Sequence, residues 1–65
     1  MEPQEALKEE MLKLLENDYN ELKQLVEHII TTKNLDKKKL GRAYFLTQRI
    51  DMELYRLMLT FWPKS

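Results

Sequence analysis

The sequence predicts an all-α fold: an antiparallel hairpin of two long helices that pairs with a second copy into a four-helix bundle. Three observations predict it. Leu, Glu, Lys and Met, all good helix formers, dominate a 65-residue chain whose single glycine is Gly41 and whose two prolines, Pro3 and Pro63, lie near its ends. Apolar residues recur at alternating steps of three and four along two stretches, the mark of a helical seam. One polar interruption, Thr31 to Asp36, separates the stretches.

The first helix is expected over residues 3–33. Pro3 suits a first helical position, and Glu2 and Glu5 favour the positive end of the helix dipole. Leu12, Leu15, Tyr19, Leu22, Val26 and Ile29 form its seam, with Met11, Leu14, Leu25 and Ile30 widening the stripe. Thr31 and Thr32 weaken the helix end, Asn34 is the residue expected to turn left-handed, and Asp36 is a good N-cap for the next helix. So short a connection places the helices side by side and antiparallel.

The second helix is expected over residues 37–61, with Pro63 preventing much further continuation. Leu40, Ala43, Thr47, Ile50, Leu54, Leu57 and Phe61 form one seam; Leu40, Tyr44, Thr47, Asp51, Leu54, Met58 and Phe61 form another. Two overlapping seams make an apolar face wider than one neighbouring helix covers. The hairpin is therefore expected to bury one seam internally and offer the other to a second chain, most simply as a homodimer.

Composition narrows the function. The whole chain reads as one domain, without repeats or linkers, and a domain this small is marginal without further support. It has no cysteine, which removes disulfides and thiolate metal sites, and His28 alone makes no zinc site. No cofactor or metal is expected. There is no glycine-rich phosphate loop and no nucleophile–base arrangement, so an enzyme is not the favoured reading. The formal net charge is zero, which argues against a general attraction to nucleic acid or membrane surfaces. The acidic opening, Met1 to Glu5, does not read as a signal peptide, and no apolar run has bilayer-spanning length, so a cytoplasmic location is the expectation.

Charge is divided along the chain. Residues 1–27 hold eight acids against three bases, a net of −5, and residues 28–65 hold three acids against eight bases, a net of +5. Arg42, Arg49 and Arg56 lie seven apart, as a phosphate-binding stripe would, but a turn centred near Leu35 sets Glu27 against Arg42, Glu21 against Arg49 and Glu16 near Arg56. Pairing within the hairpin is the preferred reading, contributing on the order of 0–1 kcal/mol per exposed pair. Lys37, Lys38 and Lys39 crowd the positive end of the second helix, where the dipole disfavours cations, so they are either a solvated turn or a contact for an acidic surface. Thr47 and Asp51 are expected as a hydrogen-bonded pair at the seam edge, with Gln48 beside them, and His28 as a seam-edge residue. Tyr44, Tyr55, Phe61 and Trp62 read as core or bundle-end aromatics. Phe61-Trp62-Pro63 is either a cap on the bundle end or an exposed contact patch.

Two resemblances add to this. Leu46-Thr47-Gln48-Arg49-Ile50-Asp51 resembles the Ser-Gln-Glu-Leu-Asp signature of the small aspartyl-phosphate phosphatases that regulate sporulation, which are two-helix hairpins. The resemblance implies Thr47 for the signature Ser, Gln48 for Gln, Ile50 for Leu and Asp51 for the functional Asp, with Arg49 at the acidic position. It further implies bacterial origin and action on a response-regulator receiver. In length and layout, and in Glu53-Leu54-Tyr55-Arg56 with Leu59 following, the chain is also similar to the plasmid copy-number protein Rop, a dimeric RNA binder. On that resemblance Lys37–Lys39 and the arginines would meet RNA, although the acidic first helix argues against it.

The favoured expectation is a non-enzymatic regulatory protein of anti-repressor or inhibitor type. It would pair with itself and modulate a protein partner such as a transcription factor or response regulator. The residues expected to make contact are Lys37, Lys38, Lys39, Leu46, Gln48, Asp51, Met58 and Trp62. Asp51 would be catalytic only on the phosphatase reading.

Overall fold

The computed structural model describes residues 3–62. Helix α1 runs Pro3–Thr32 and helix α2 runs Lys37–Phe61, antiparallel, and together they account for nearly all of the described residues. Both lie within a residue of the expected bounds. None of the described helices is long and apolar enough to cross a membrane.

The turn is held by local hydrogen bonds. The Lys33 N–H donates to the Ile29 carbonyl at 2.8 Å, while Thr32 Oγ1 donates to the His28 carbonyl at 2.8 Å and accepts from the Asn34 N–H at 3.2 Å. Lys33, with φ of 55°, takes the left-handed conformation expected of Asn34. The helix ends one residue earlier than the sequence signal, where the Thr32 hydroxyl bonds back onto α1 and its oxygen accepts from the Asn34 N–H. Asp36 is the N-cap of α2, as its position implies: Oδ1 accepts from the Lys38 N–H at 2.9 Å, and Oδ2 lies 3.6 Å from Lys39 Nζ. The Lys38 N–H, more than the lysine charge, holds the Asp36 carboxyl below its ordinary range. At the far end the Trp62 N–H donates to the Met58 carbonyl at 2.8 Å. Pro63 lies outside the described residues.

The molecule measures 45 × 25 × 15 Å, which is one helix layer thick. Its radius of gyration is 14.8 Å, against about 11 Å for a compact chain of this length. The internal seam runs through Met11, Leu15, Asp18, Leu22, Leu25 and Ile29 of α1 and Ala43, Leu46, Ile50, Glu53, Leu57 and Phe61 of α2. Leu46 is the one large apolar side chain among them with no exposure, and Ala43 lets the backbones approach near the turn.

This seam keeps Ala43, Ile50, Leu57 and Phe61 of the first seam expected on α2 but has Leu46 and Glu53 in place of Leu40, Thr47 and Leu54. It is also rotated on α1, where Leu12, Tyr19 and Val26 stay exposed. Apolar residues surround most of α2, so spacing alone did not select the edge that faces α1. The ion pairs shift with it. Arg42 reaches Glu21 rather than Glu27, and Arg49 reaches Asp18 rather than Glu21.

A positive φ at a lysine carries a Cβ penalty of about 1 kcal/mol that glycine avoids. Lys33→Gly is therefore expected to stabilise the hairpin by about 0.5–1 kcal/mol, read as a higher thermal midpoint by circular dichroism at fixed concentration.

Candidate functional site

Because the hairpin is a single layer, it presents two broad faces, and they differ chemically. On the first, Leu12, Leu15, Glu16, Tyr19, Ile50 and Leu54 line a shallow groove of about 890 Å³ between the helices. Helical spacing continues the stripe through Val26 and Leu40 toward the turn. Leu12, Tyr19, Val26, Leu40 and Leu54 are all exposed, Tyr19 by 54% and Leu54 by 48%. These are the alternate members of the expected seams, left facing solvent while Leu15, Leu22, Ile29, Ala43, Ile50 and Leu57 lie between the helices.

The second face is built on charge. Arg42 grips Glu21 with a two-pronged contact, Nε to Oε2 at 2.7 Å and a terminal nitrogen to Oε1 at 2.9 Å. That hydrogen bonding holds the Glu21 carboxyl below its usual range and raises Arg42. Arg49 Nε lies 3.0 Å from Asp18 Oδ2. Phe45 sits between the two guanidinium groups, 5.5 Å from Arg42 and 5.9 Å from Arg49 measured to its ring centre.

Asp18 and Glu53 are acids at seam positions where leucine would pack. Asp18 is only 7% exposed. Its Oδ2 and Glu53 Oε1 are buried without a hydrogen-bond partner, so the Arg49 approach to Asp18 is a charge contact rather than an aligned hydrogen bond. Burial first, then hydrogen bonding to Asp18 and its charge, push Glu53 up to about 7, with Arg49 opposing. Below that pH Glu53 carries a proton that its neighbour Asp18 can accept in a hydrogen bond. The seam thus holds a layer of two carboxyls and one guanidinium.

The residues expected to make contact are scattered. Lys37 and Lys38 are exposed, and Lys39 is half-buried against Asp36. Asp51, Met58 and Trp62 are exposed, on the flank of the apolar face by helical spacing, and Gln48 is exposed on the side of α2 away from α1. Leu46 is a correction: it is wholly buried between the helices and offers a partner nothing. The Thr47–Asp51 pair is another. Thr47 Oγ1 donates to the Tyr44 carbonyl at 2.6 Å, one turn back on its own helix, and both residues are exposed. His28 is exposed rather than at the seam. Among the described residues no three His, Cys, Asp or Glu side chains converge as metal ligands. The sequence reading passed over Asp18, Glu53 and Phe45. The signal for the first was present: Met11, Leu15, Asp18, Leu22, Leu25 and Ile29 keep the three–four spacing with one acid in the row.

The Glu53 carboxyl gives the hairpin a pH dependence of definite sign. Its folded-state value is raised, so its contribution is fully present below about pH 4.5 and is lost as pH rises through about 7. Discounted for partial solvent access, the loss is on the order of 1 kcal/mol, a fall of about 4–8 °C in the thermal midpoint. Glu53→Gln is expected to flatten the midpoint between pH 5 and 8; a parent midpoint that rises over that interval would contradict the assignment.

No solved structure matches the chain. The family model described as Sulfolobus spindle-shape virus 1, protein D-63, matches residues 3–59, which takes in all of the turn and nearly all of both helices. This corrects the two resemblances, to the sporulation phosphatases and to Rop, and the bacterial origin they implied. Each rested on short helical strings, and the first carried a reversed charge at Arg49, which is committed to the Asp18 ion pair. The chain belongs to the family of the spindle-shaped virus protein D-63.

Proposed function

We propose that this chain is a non-enzymatic regulatory protein that pairs with a second copy through its apolar face and, as that pair, binds and modulates a protein partner in the manner of an inhibitor or anti-repressor. The observation that carries the reading is the exposed stripe Leu12, Tyr19, Val26, Leu40 and Leu54, which crosses both helices. The accessible surface of the chain is 5709 Å². A compact folded monomer of this mass exposes about 4,400 Å², and the surplus exceeds the roughly 800 Å² per partner that a stable interface covers.

Sign of charge supports a second copy as the occupant. The α1 half carries −5 and the α2 half +5, so laying α1 of one protomer along α2 of the other opposes unlike charges on the rim. A two-fold axis through the face does this twice. The pair would be a four-helix bundle whose interior is this exposed stripe, with the internal seam of each hairpin at its sides. The face bearing Arg42, Phe45 and Arg49 would remain outside, and a binding role is assigned to what remains outside.

Sedimentation of the full chain at micromolar concentration tests the pairing. The parent is expected to run as a dimer. Leu54→Glu removes a contact on both sides of the axis and places a carboxylate against apolar surface, so it should weaken association at least tenfold. A folded monomer from the parent chain would overturn the reading.

A further inference from the structure

The second face carries a pattern that pairing does not use. Arg42, Phe45, Arg49, Met52, Arg56 and Leu59 follow one another at steps of three and four along α2. Basic and apolar residues therefore alternate in a single stripe, each kind repeating every seven residues. The apolar members are exposed, Phe45 by 47% and Met52 by 63%. Toward the open end of the hairpin the stripe borders a groove of about 670 Å³, walled by Leu7, Met11 and Leu14 from α1 and by Arg56 and Leu59 from α2.

We infer that this stripe is a docking surface for an acidic, amphipathic helix of a partner protein. The inference rests on the reading of the chain as a protein-binding module, and it names the face and the chemistry of what sits there. The apolar anchors recur every seven residues, about 10.5 Å along the axis. That is the repeat a second helix presents when it lies alongside with large apolar residues at three–four spacing. The charge argument selects an acidic helix. Arg42 and Arg49 are already held by Glu21 and Asp18, which fixes their planar groups against Phe45 and leaves their outer edges as oriented donors. Arg56, at the mouth of the groove, has no ion-pair partner among the described residues. A carboxylate on the incoming helix would neutralise it while leucine-like side chains cover Met52 and Leu59.

The apolar half of the stripe disfavours a nucleic acid: Phe45, Met52 and Leu59 alternate with the arginines, and with Arg42 and Arg49 already countered by Glu21 and Asp18, the unpaired charge of Arg56 suits a single carboxylate better than a phosphate backbone.

The test uses the full chain and a fluorescein-labelled 21-residue synthetic helix with Leu at its seam positions and Glu flanking them, and a matched peptide with Lys in place of Glu. Fluorescence anisotropy is expected to show the acidic peptide binding at least tenfold tighter, less so as salt is raised. Arg56→Glu should remove that preference. Met52→Glu should weaken binding at least tenfold while the helical circular dichroism signal and the sedimenting species stay those of the parent. Equal affinity for both peptides, or no binding of either, would overturn the inference. Binding lost in Leu54→Glu but kept in Met52→Glu would overturn it in favour of the apolar face. Tighter binding of a single-stranded RNA 12-mer would overturn it in favour of a nucleic acid. A tetramer of the parent that Met52→Glu reduces to a dimer would make a further copy of the chain the occupant instead. Failure of the pairing reading is seen separately, as a monomer in sedimentation without any peptide.

Discussion

Two helices side by side cannot enclose a core. Every side chain on them has at most one neighbouring helix to lie against, and a slab 15 Å thick leaves both broad faces in water. The small number of buried residues follows from this limit, not from poor packing. Leu46 and Ala43 are buried because they lie on the line between the two axes near the turn, where the helices are held together by a four-residue connection. The remaining apolar side chains are half covered at best. Stability has to come from the turn, from the seam, and from whatever covers the faces, because apolar burial scales with area removed from water.

The seam is not purely apolar. Asp18 and Glu53 occupy positions where leucines would contribute more, and a buried ion pair is weak evidence for stability. Its consequence here is register. Asp18 meets Arg49 when α2 lies against α1 at this offset, and Arg42 with Glu21 adds a second tie between the helices nearer the loop. A slip of one turn would take Arg49 away from Asp18 and leave that carboxylate buried without a guanidinium, which low polarity penalises heavily. The cation-holding carboxylates also place Phe45 on the surface between two arginines. The contacts that fix register therefore also build the second face, and the two roles are coupled through the same four side chains.

Much of the fold was legible in the residues, and the reasons are local. Helix-favouring composition, Pro3 at a first helical position and Asp36 as an N-cap act within a turn of their own position, and the structure keeps each. The turn's left-handed residue was misplaced by one because a hydroxyl bond from Thr32 competes with the preference of Asn34, and spacing does not reveal that competition. The rotation of α2 was legible only in part: Ala43, Ile50, Leu57 and Phe61 of the first expected seam face α1, while Leu46 and Glu53 stand there in place of Thr47 and Leu54. Phe45, Leu46, Met52, Leu54, Leu57 and Met58 surround the helix, so several edges satisfy the same three–four rule. The edge that faces α1 goes with long-range contacts: Arg42 meets Glu21 and Arg49 meets Asp18, partners more than twenty residues away in sequence.

The misread rotation changes what the apolar pattern means. A three–four row is usually taken as the contact between sequence neighbours, yet Leu12, Tyr19 and Val26 on α1, seven apart, and Leu40 and Leu54 on α2 are members of the expected seams that the neighbouring helix does not cover. In the hairpin these residues lie to one side of the inter-helix line, on a common face, while a row of regular three–four spacing with two acids in it makes the internal contact. The sequence thus leaves an acid-free set of large apolar residues on a surface the monomer cannot cover, and places two acids in the row it can. For an isolated hairpin that allocation is unfavourable, since exchanging the two rows would bury more apolar area and expose the acids. It is favourable if the exposed row is interior to a larger assembly, where an apolar layer contributes most, and the acid-bearing row lies nearer the rim, where Glu53 can take up or release its proton with water at hand. The polarity of the two rows is the physical reason to treat association as part of the fold and not as an addition to it.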